Sequence, residues 1–146
     1  MARRVFFSFK YEDVSRAMVV RNSWVVQGRE AAGFVDAAAF ENLKRQGDAA
    51  IKRWIDGQLN GTSVTVVLVG GLTCSSRWVK YEIEQSKYLG HGLLGVDVSK
   101  IRDLQGGTSN CCGQLPNGYP FYQWNNNDGY HNLGAWIETA AKAAGR

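Results

Sequence analysis

The chain has 146 residues, of which 45% are apolar, 12% aromatic and 21% charged. This composition excludes a disordered or collagen-like chain, and the length suits one domain with its own core, so we predict a single domain over residues 1–146. Seventeen Lys and Arg against thirteen Asp and Glu give a formal net charge of +4, with no run of five like charges. Neither nucleic acid nor a membrane is therefore expected as a partner, and a polyanionic small molecule is compatible with the charge.

Apolar stretches and cysteines indicate the compartment. The longest apolar stretches, such as Val66–Val69, are far shorter than the roughly 20 residues that span a membrane. The apolar run after Arg4 is too short for a secretory signal. Three cysteines, with Cys111 and Cys112 adjacent, do not make a disulfide framework, and they lack the spacing of metal ligands. We expect a cytoplasmic protein without a metal site.

In the first half of the chain, the sequence predicts two strands, two helices and a loop. The pattern indicates a buried strand over Val5–Phe9, a helix from Asp13 or Ser15 to about Trp24 or Val25, a short strand over Gly33–Val35, a loop with some helical tendency over Asp36–Gln46, and an amphipathic helix from Asp48 that Asn60 and Gly61 end.

The second half begins with Val64–Val69, whose near-continuous β-branched composition is typical of a central parallel strand. The remaining elements are a helix over Arg77–Leu89, a strand over Leu93–Val98, an irregular excursion over Ser99–Gly118, a strand over Tyr119–Trp124 and a helix over Leu133–Ala143. Alternating strands and helices predict an α/β fold of flavodoxin-like type. We expect a three-layer α/β/α arrangement with a five-stranded parallel sheet in the order 2-1-3-4-5.

In such a sheet, ligands lie beyond the carboxyl ends of the strands where the strand order reverses, here between strands 1 and 3. Ser8 to Tyr11 and Gly70 to Ser76 occupy that place. Acidic residues of a phospho-receiver are absent from it, and the chain carries neither a dinucleotide fingerprint nor a GxxxxGK[ST] loop. A receiver domain and a P-loop nucleotidase are therefore excluded.

The helix after strand 3 carries a carboxylate on its apolar stripe. Ser75, Trp78, Val79, Glu82, Ile83 and Ser86 share one face at helical spacing. Glu84 falls on the other side. An ionised carboxylate is seldom buried without a partner, so Glu82 is a candidate functional residue. The alternative, a glutamate at the edge of the stripe that reaches water, stays open on spacing alone.

The segment Thr73–Ile83 resembles the S-x-W-V-x-x-E helix of TIR domains, and Arg4–Phe9 resembles their first strand. The TIR-like family of Thoeris-type antiviral defence systems is closer still, through Val20–Trp24, Ala49–Asp56 and Thr65–Gly70. The resemblance implies a TIR fold and an enzyme that breaks the nicotinamide–ribose bond of NAD and cyclises the remainder into a signalling isomer of cyclic ADP-ribose. NAD is then the substrate, and no cofactor is needed. An effector protein reached by a diffusible product, a phage-derived trigger and a homo-oligomer are further expectations.

The family's glutamate maps onto Glu82, which we expect to stabilise an oxocarbenium-like ribose. Phe9 and Tyr11 are candidates for stacking on adenine or nicotinamide, and Trp78 for a pocket wall. Ser8 and Ser75 are candidates for ribose or phosphate contacts, with turn or capping roles as the alternative. His91 and His131, in Gly- and Asn-rich turns, are expected to be solvated. The alternative function is a non-catalytic TIR adaptor that acts through protein–protein assembly.

Overall fold

The sheet contains five parallel strands in the order β2-β1-β3-β4-β5, which confirms the predicted topology. The computed structural model describes residues 3–26, 31–33, 37–112, 115, 116 and 118–146. The strands are β1 Val5–Ser8, β2 Ala31–Ala32, β3 Val64–Val69, β4 Gly92–Asp97 and β5 Phe121–Gln123. The helices are α1 Val14–Val25, α2 Ala37–Gln46, α3 Asp48–Leu59, α4 Arg77–Tyr88 and α5 Gly129–Ala143, and 3-10 turns cover Tyr11–Asp13 and Thr73–Ser75.

Alternate residues of the strands build a core on each face of the sheet, because successive side chains of a strand point to opposite faces. Phe7 joins the core cluster that contains Trp24 of α1 and Ile137 of α5. Phe6 joins the opposite cluster with Ile51 and Ile55 of α3. Ser8 has the same parity as Phe6, so its side chain belongs to the face that α3 and α4 cover.

Two predicted elements in the first half differ from the structure. Residues 37–46, predicted as a loop, form the helix α2, in which Leu43 packs against the cluster around Ile51 and Ile55. Burial of Leu43 against α3 thus stabilises a helix that the local sequence pattern indicated only weakly. The structure has a short second strand at Ala31–Ala32, and Gly33, predicted as a strand residue, lies just beyond it with a φ of +93° that leaves the extended conformation. Phe34 and Val35 of that prediction lie outside the described residues.

The excursion after β4 contains no helix or strand among its described residues, as predicted, but it is firmly anchored. The buried guanidinium of Arg16 donates hydrogen bonds to the carbonyl oxygens of Ile101 and Gly107 at 2.7 and 3.0 Å, and it pairs with Asp13 at 2.8 Å. These charge-assisted bonds hold the excursion against the start of α1.

Two sequence predictions about cysteine and histidine were wrong. Cys74 and Cys112 form a disulfide although 38 positions separate them, because the excursion returns to the end of β3 and brings their Cα atoms to 5.2 Å. His91 is buried rather than solvated, and that burial lowers the pKa of its imidazole. His131 is exposed, as expected, and contacts Asp128. Within the described ranges, no helix combines the length and the apolar character that crossing a membrane requires.

Candidate active site

A cavity of about 400 Å³ opens at the carboxyl end of β1, between the loop after that strand and helices α3 and α4. Its volume lies within the range of small-molecule sites. Most of its wall is apolar or aromatic, and the lining residues include Phe9, Tyr11, Leu43, Ile51, Trp54 and Trp78 together with the polar Lys10, Glu12, Lys44, Ser75, Ser76, Arg77 and Glu82. The cavity therefore lies where the strand order predicts a ligand site.

Helix α4 presents Glu82 to this cavity. The helix begins after Ser76, whose hydroxyl accepts a hydrogen bond from the backbone N–H of Val79 at 3.2 Å. One turn after Glu82, the hydroxyl of Ser86 lies 2.7 Å from that of Thr65 on β3 and ties the helix to the sheet. Glu82 lies on the inward face of this helix, with only 6% of its surface exposed.

The carboxyl of Glu82 has one protein partner, Ser8, within the described part of the chain. The Ser8 hydroxyl, itself fully buried at the end of β1, donates a hydrogen bond to Oε1 of Glu82 at 2.7 Å. Burial raises the pKa of Glu82 to about 8, and the hydrogen bond from Ser8 acts in the opposite direction. An acid whose pKa is raised by an apolar cleft is typical of catalytic sites.

Three aromatic side chains named from the sequence, Phe9, Tyr11 and Trp78, line the cavity. The Trp78 ring is held from two sides, because the Arg77 guanidinium lies 4.6 Å from its centroid and Tyr81 meets it edge-on at 6.0 Å. Arg77 is fixed in turn by two hydrogen bonds to Asp48 at 2.6 and 3.0 Å. The Trp78 wall is therefore largely formed before any ligand enters.

The two serines named from the sequence have different positions. Ser75 lines the cavity, and its hydroxyl accepts a hydrogen bond from the Lys10 ammonium at 3.2 Å. Ser8 is not a lining residue and contacts Glu82 instead. The Ser8 hydroxyl is therefore placed to orient the carboxyl of Glu82.

The sequence interpretation missed the wall opposite α4. Trp54 and Ile51 of α3 and Leu43 of α2 supply apolar surface to the cavity. The amphipathic face of α3 was visible, but it predicted core packing and not a ligand wall. Leu43 is not a candidate lining residue in the sequence interpretation, because its segment is predicted as a loop. The packing of α2 on α3 brings Leu43 to the cavity that Ile51 and Trp54 line.

A five-stranded parallel sheet in this order with helices on both faces is a flavodoxin-like α/β fold, the fold that TIR domains have. The family model described as "Thoeris protein ThsB, TIR-like domain" matches residues 6–103. A protein of Bacillus cereus (strain MSX-D12), named "Putative cyclic ADP-D-ribose synthase ThsB1", is 42% identical over 139 residues, which cover 93% of this chain and 72% of that relative. The chain therefore belongs to the ThsB TIR-like family of Thoeris proteins, and the family resemblance is confirmed.

Proposed function

We propose that this protein is an enzyme that consumes NAD, cleaves its nicotinamide–ribose bond and cyclises the ADP-ribosyl product into a cyclic ADP-ribose isomer. The observation that carries the proposal is the buried carboxyl of Glu82, held by Ser8 at the wall of a mostly apolar cavity. A buried carboxyl destabilises a fold, and an adaptor that acts only by assembly has no use for one. The name of the Bacillus cereus relative supports the same reaction class.

In the proposed mechanism, the bond between the ribose C1′ and the nicotinamide nitrogen breaks, and nicotinamide leaves with the electron pair. Positive charge develops on the ribose and is shared with its ring oxygen. An ionised Glu82 stabilises this charge from a fixed position, and one such group contributes on the order of 10²–10³ in rate. Because Ser8 engages Oε1, Oε2 is the oxygen left to face the sugar.

The raised pKa has a direct consequence for this step. In the empty site, burial favours the neutral acid at pH values below about 8. The nicotinamide of NAD carries a positive charge, and a cation beside the carboxyl favours its ionised form. Substrate binding therefore generates the carboxylate that the reaction needs. Lys10, at the rim beside Ser75, is suitably placed for the anionic diphosphate.

The walls of the cavity favour cyclisation over hydrolysis. The ribosyl cation is captured either by water or by a nucleophile of the same molecule, a ring nitrogen or a hydroxyl of its adenosine part. Trp54, Ile51 and Trp78 form apolar surface around the carboxyl and limit access of water. We infer that Phe9 and Tyr11 fold the adenine back toward the ribose by stacking.

Partners beyond NAD follow from the Thoeris family and form part of the proposal. We propose that the product diffuses to a separate effector protein, that a phage-derived signal activates the enzyme, and that copies of the chain assemble. On the same grounds NAD is a substrate, the reaction needs no resident cofactor or metal, and the protein is cytoplasmic.

The test is incubation of the purified protein with NAD, followed by chromatography and mass spectrometry of nicotinamide and the ADP-ribosyl product. We expect nicotinamide and a product lighter than ADP-ribose by one water molecule. Glu82→Gln should lower the rate at least a hundredfold, and Glu84→Gln, on the exposed side of the same helix, should leave it unchanged. If the purified protein is silent, the assay is repeated in lysates of phage-infected cells. Activity that survives Glu82→Gln contradicts the assignment.

A further inference from the structure

The excursion lies directly on the loop that follows β3. The backbone N–H of Cys74 donates to the carbonyl of Cys112 at 2.8 Å, and the N–H of Cys112 donates to the carbonyl of Gly70 at 2.9 Å. Gly71 leaves no free space, since a Cβ atom there would lie 3.1 Å from the side chain of Ser109. Residues 109–112 therefore form a strap across the loop 70–74, and the disulfide closes it.

The loop under this strap continues into the cavity rim. Cys74 precedes Ser75, which lines the cavity beside Lys10, and Ser76, which caps the helix that carries Glu82. The N–H of Ser76 also donates to the carbonyl of Thr73 at 3.0 Å. A constraint on Cys74 is thus transmitted through one short 3-10 turn to the rim and to the start of α4.

Both ends of the disulfide are suited to thiol exchange. Cys74 is exposed and Cys112 is half-buried, so a small thiol or disulfide reaches them from solvent. The rest of the excursion does not depend on the disulfide, because Arg16 holds Ile101 and Gly107, and Lys100 donates to the carbonyl of Ser109 at 2.8 Å. Opening the disulfide therefore loosens the strap without unfolding the excursion.

We propose that Cys74 and Cys112 are a reversible redox modification site that sets the order of the cavity rim, with the oxidised form binding NAD more tightly. The consequence for NAD rests on the proposed function. Oxidation by glutathione disulfide proceeds when the thiolate of one cysteine attacks a sulfur of the oxidant and releases one glutathione thiolate. The second cysteine then displaces the other, so two protein thiols become one disulfide and two glutathiones form. Excess thiol reverses both steps.

Cys111 does not replace its neighbour in this exchange. Although Cys111 is exposed, partial burial of its thiol and the nearby Asp97 raise the pKa of that thiol, which lowers its share of reactive thiolate. The structure, moreover, assigns the disulfide to Cys112. Cys111→Ser is therefore the matched control for variants of the other two cysteines.

The first measurement does not involve NAD turnover. The whole chain is equilibrated with glutathione disulfide or with dithiothreitol. One portion of each sample is alkylated and digested to find the free thiols by mass spectrometry. Hydrogen exchange of the backbone amides is followed by mass spectrometry in another portion. We expect alkylation of Cys74 and Cys112 only after reduction, together with at least tenfold faster exchange of the amides of Cys74 and Cys112. Alkylation of both in the oxidised sample, a Cys111–Cys112 disulfide, or equal exchange rates in the two samples overturns the proposal.

The second measurement is the KM for NAD of both forms. Reduction should raise the KM at least threefold with a smaller change in kcat, because the rim loses order while Glu82 keeps its place. Cys74→Ser and Cys112→Ser should resemble the reduced wild type and ignore oxidant, whereas Cys111→Ser should respond as the wild type does. An unchanged KM, or a response that persists in Cys74→Ser, overturns the proposal. If NAD turnover is absent both with the purified protein and in lysates of phage-infected cells, the proposed function is refuted, and the exchange measurement still tests the strap independently.

Discussion

Ser8→Ala separates a positioning role from a merely structural one at the candidate active site. The Ser8 hydroxyl donates to Oε1 of Glu82 at 2.7 Å, and both groups are buried. A hydrogen bond to a charged group in such a place is worth about 1.5–3 kcal/mol. Since about 1.4 kcal/mol corresponds to one pKa unit, its loss should raise the pKa of Glu82 by roughly one to two units above about 8.

The assay is the pH profile of kcat/KM for nicotinamide release, which reports groups of the free enzyme. In the wild type, kcat/KM should rise with pH toward a plateau above about 8, because the carboxylate is the active form. In Ser8→Ala the profile should shift to higher pH, which at neutral pH lowers kcat/KM by roughly tenfold to a hundredfold. The loss should shrink as the pH rises.

Ser86→Ala is the matched control. Ser86 is also fully buried, and its hydroxyl contacts Thr65 and the backbone carbonyl of Glu82 but not the carboxyl. We expect this variant to lower the free energy of unfolding without shifting the pH profile of kcat/KM. If Ser8→Ala lowers kcat/KM equally at every pH, or shifts the profile as little as Ser86→Ala does, the reasoning about Glu82 is refuted.

Three further predictions concern stability and substrate binding. The pKa of Glu82 is about 8 in the folded protein against 4.5 as its ordinary value, so the folded state binds the extra proton and its stability falls as pH rises through that window. Denaturant titrations from pH 5 to 8 should show wild type losing up to about 1.4 kcal/mol per pH unit relative to Glu82→Gln, and parallel curves would contradict the raised pKa. Trp54→Ala removes part of the apolar wall of the cavity and should raise the KM for NAD several-fold. The control is Trp136→Ala, which should leave the KM unchanged, because Trp136 stacks on Tyr122 at the other side of the sheet. Ile55→Ala leaves a void in the core between α3 and the sheet and should lower the free energy of unfolding by about 2–5 kcal/mol. Urea denaturation measures this loss. A loss below about 1 kcal/mol would mean that this core is loosely packed.

The strands β3 and β4 and the phase of α4 could be read from the sequence because their signals are local. Val64–Val69 is apolar on both faces, as a strand covered by helices on both sides must be, and all six of its residues are buried. The spacing of Trp78 and Glu82 likewise placed the glutamate on the inward face of α4, where it lies. Each of these inferences depends only on residues that are close to one another in the sequence.

What the sequence by itself determined is therefore the alternation of elements, the strand order that follows from it and the inward glutamate. Only the tertiary structure decided that α2 is a helix, that Ser8 contacts Glu82 across 74 positions, that Cys74 meets Cys112, and that His91 is buried. The physical reason is the same in each case. Hydrogen bonds, disulfides and packing between segments distant in sequence depend on where the chain returns, and local propensity and periodicity carry no record of that.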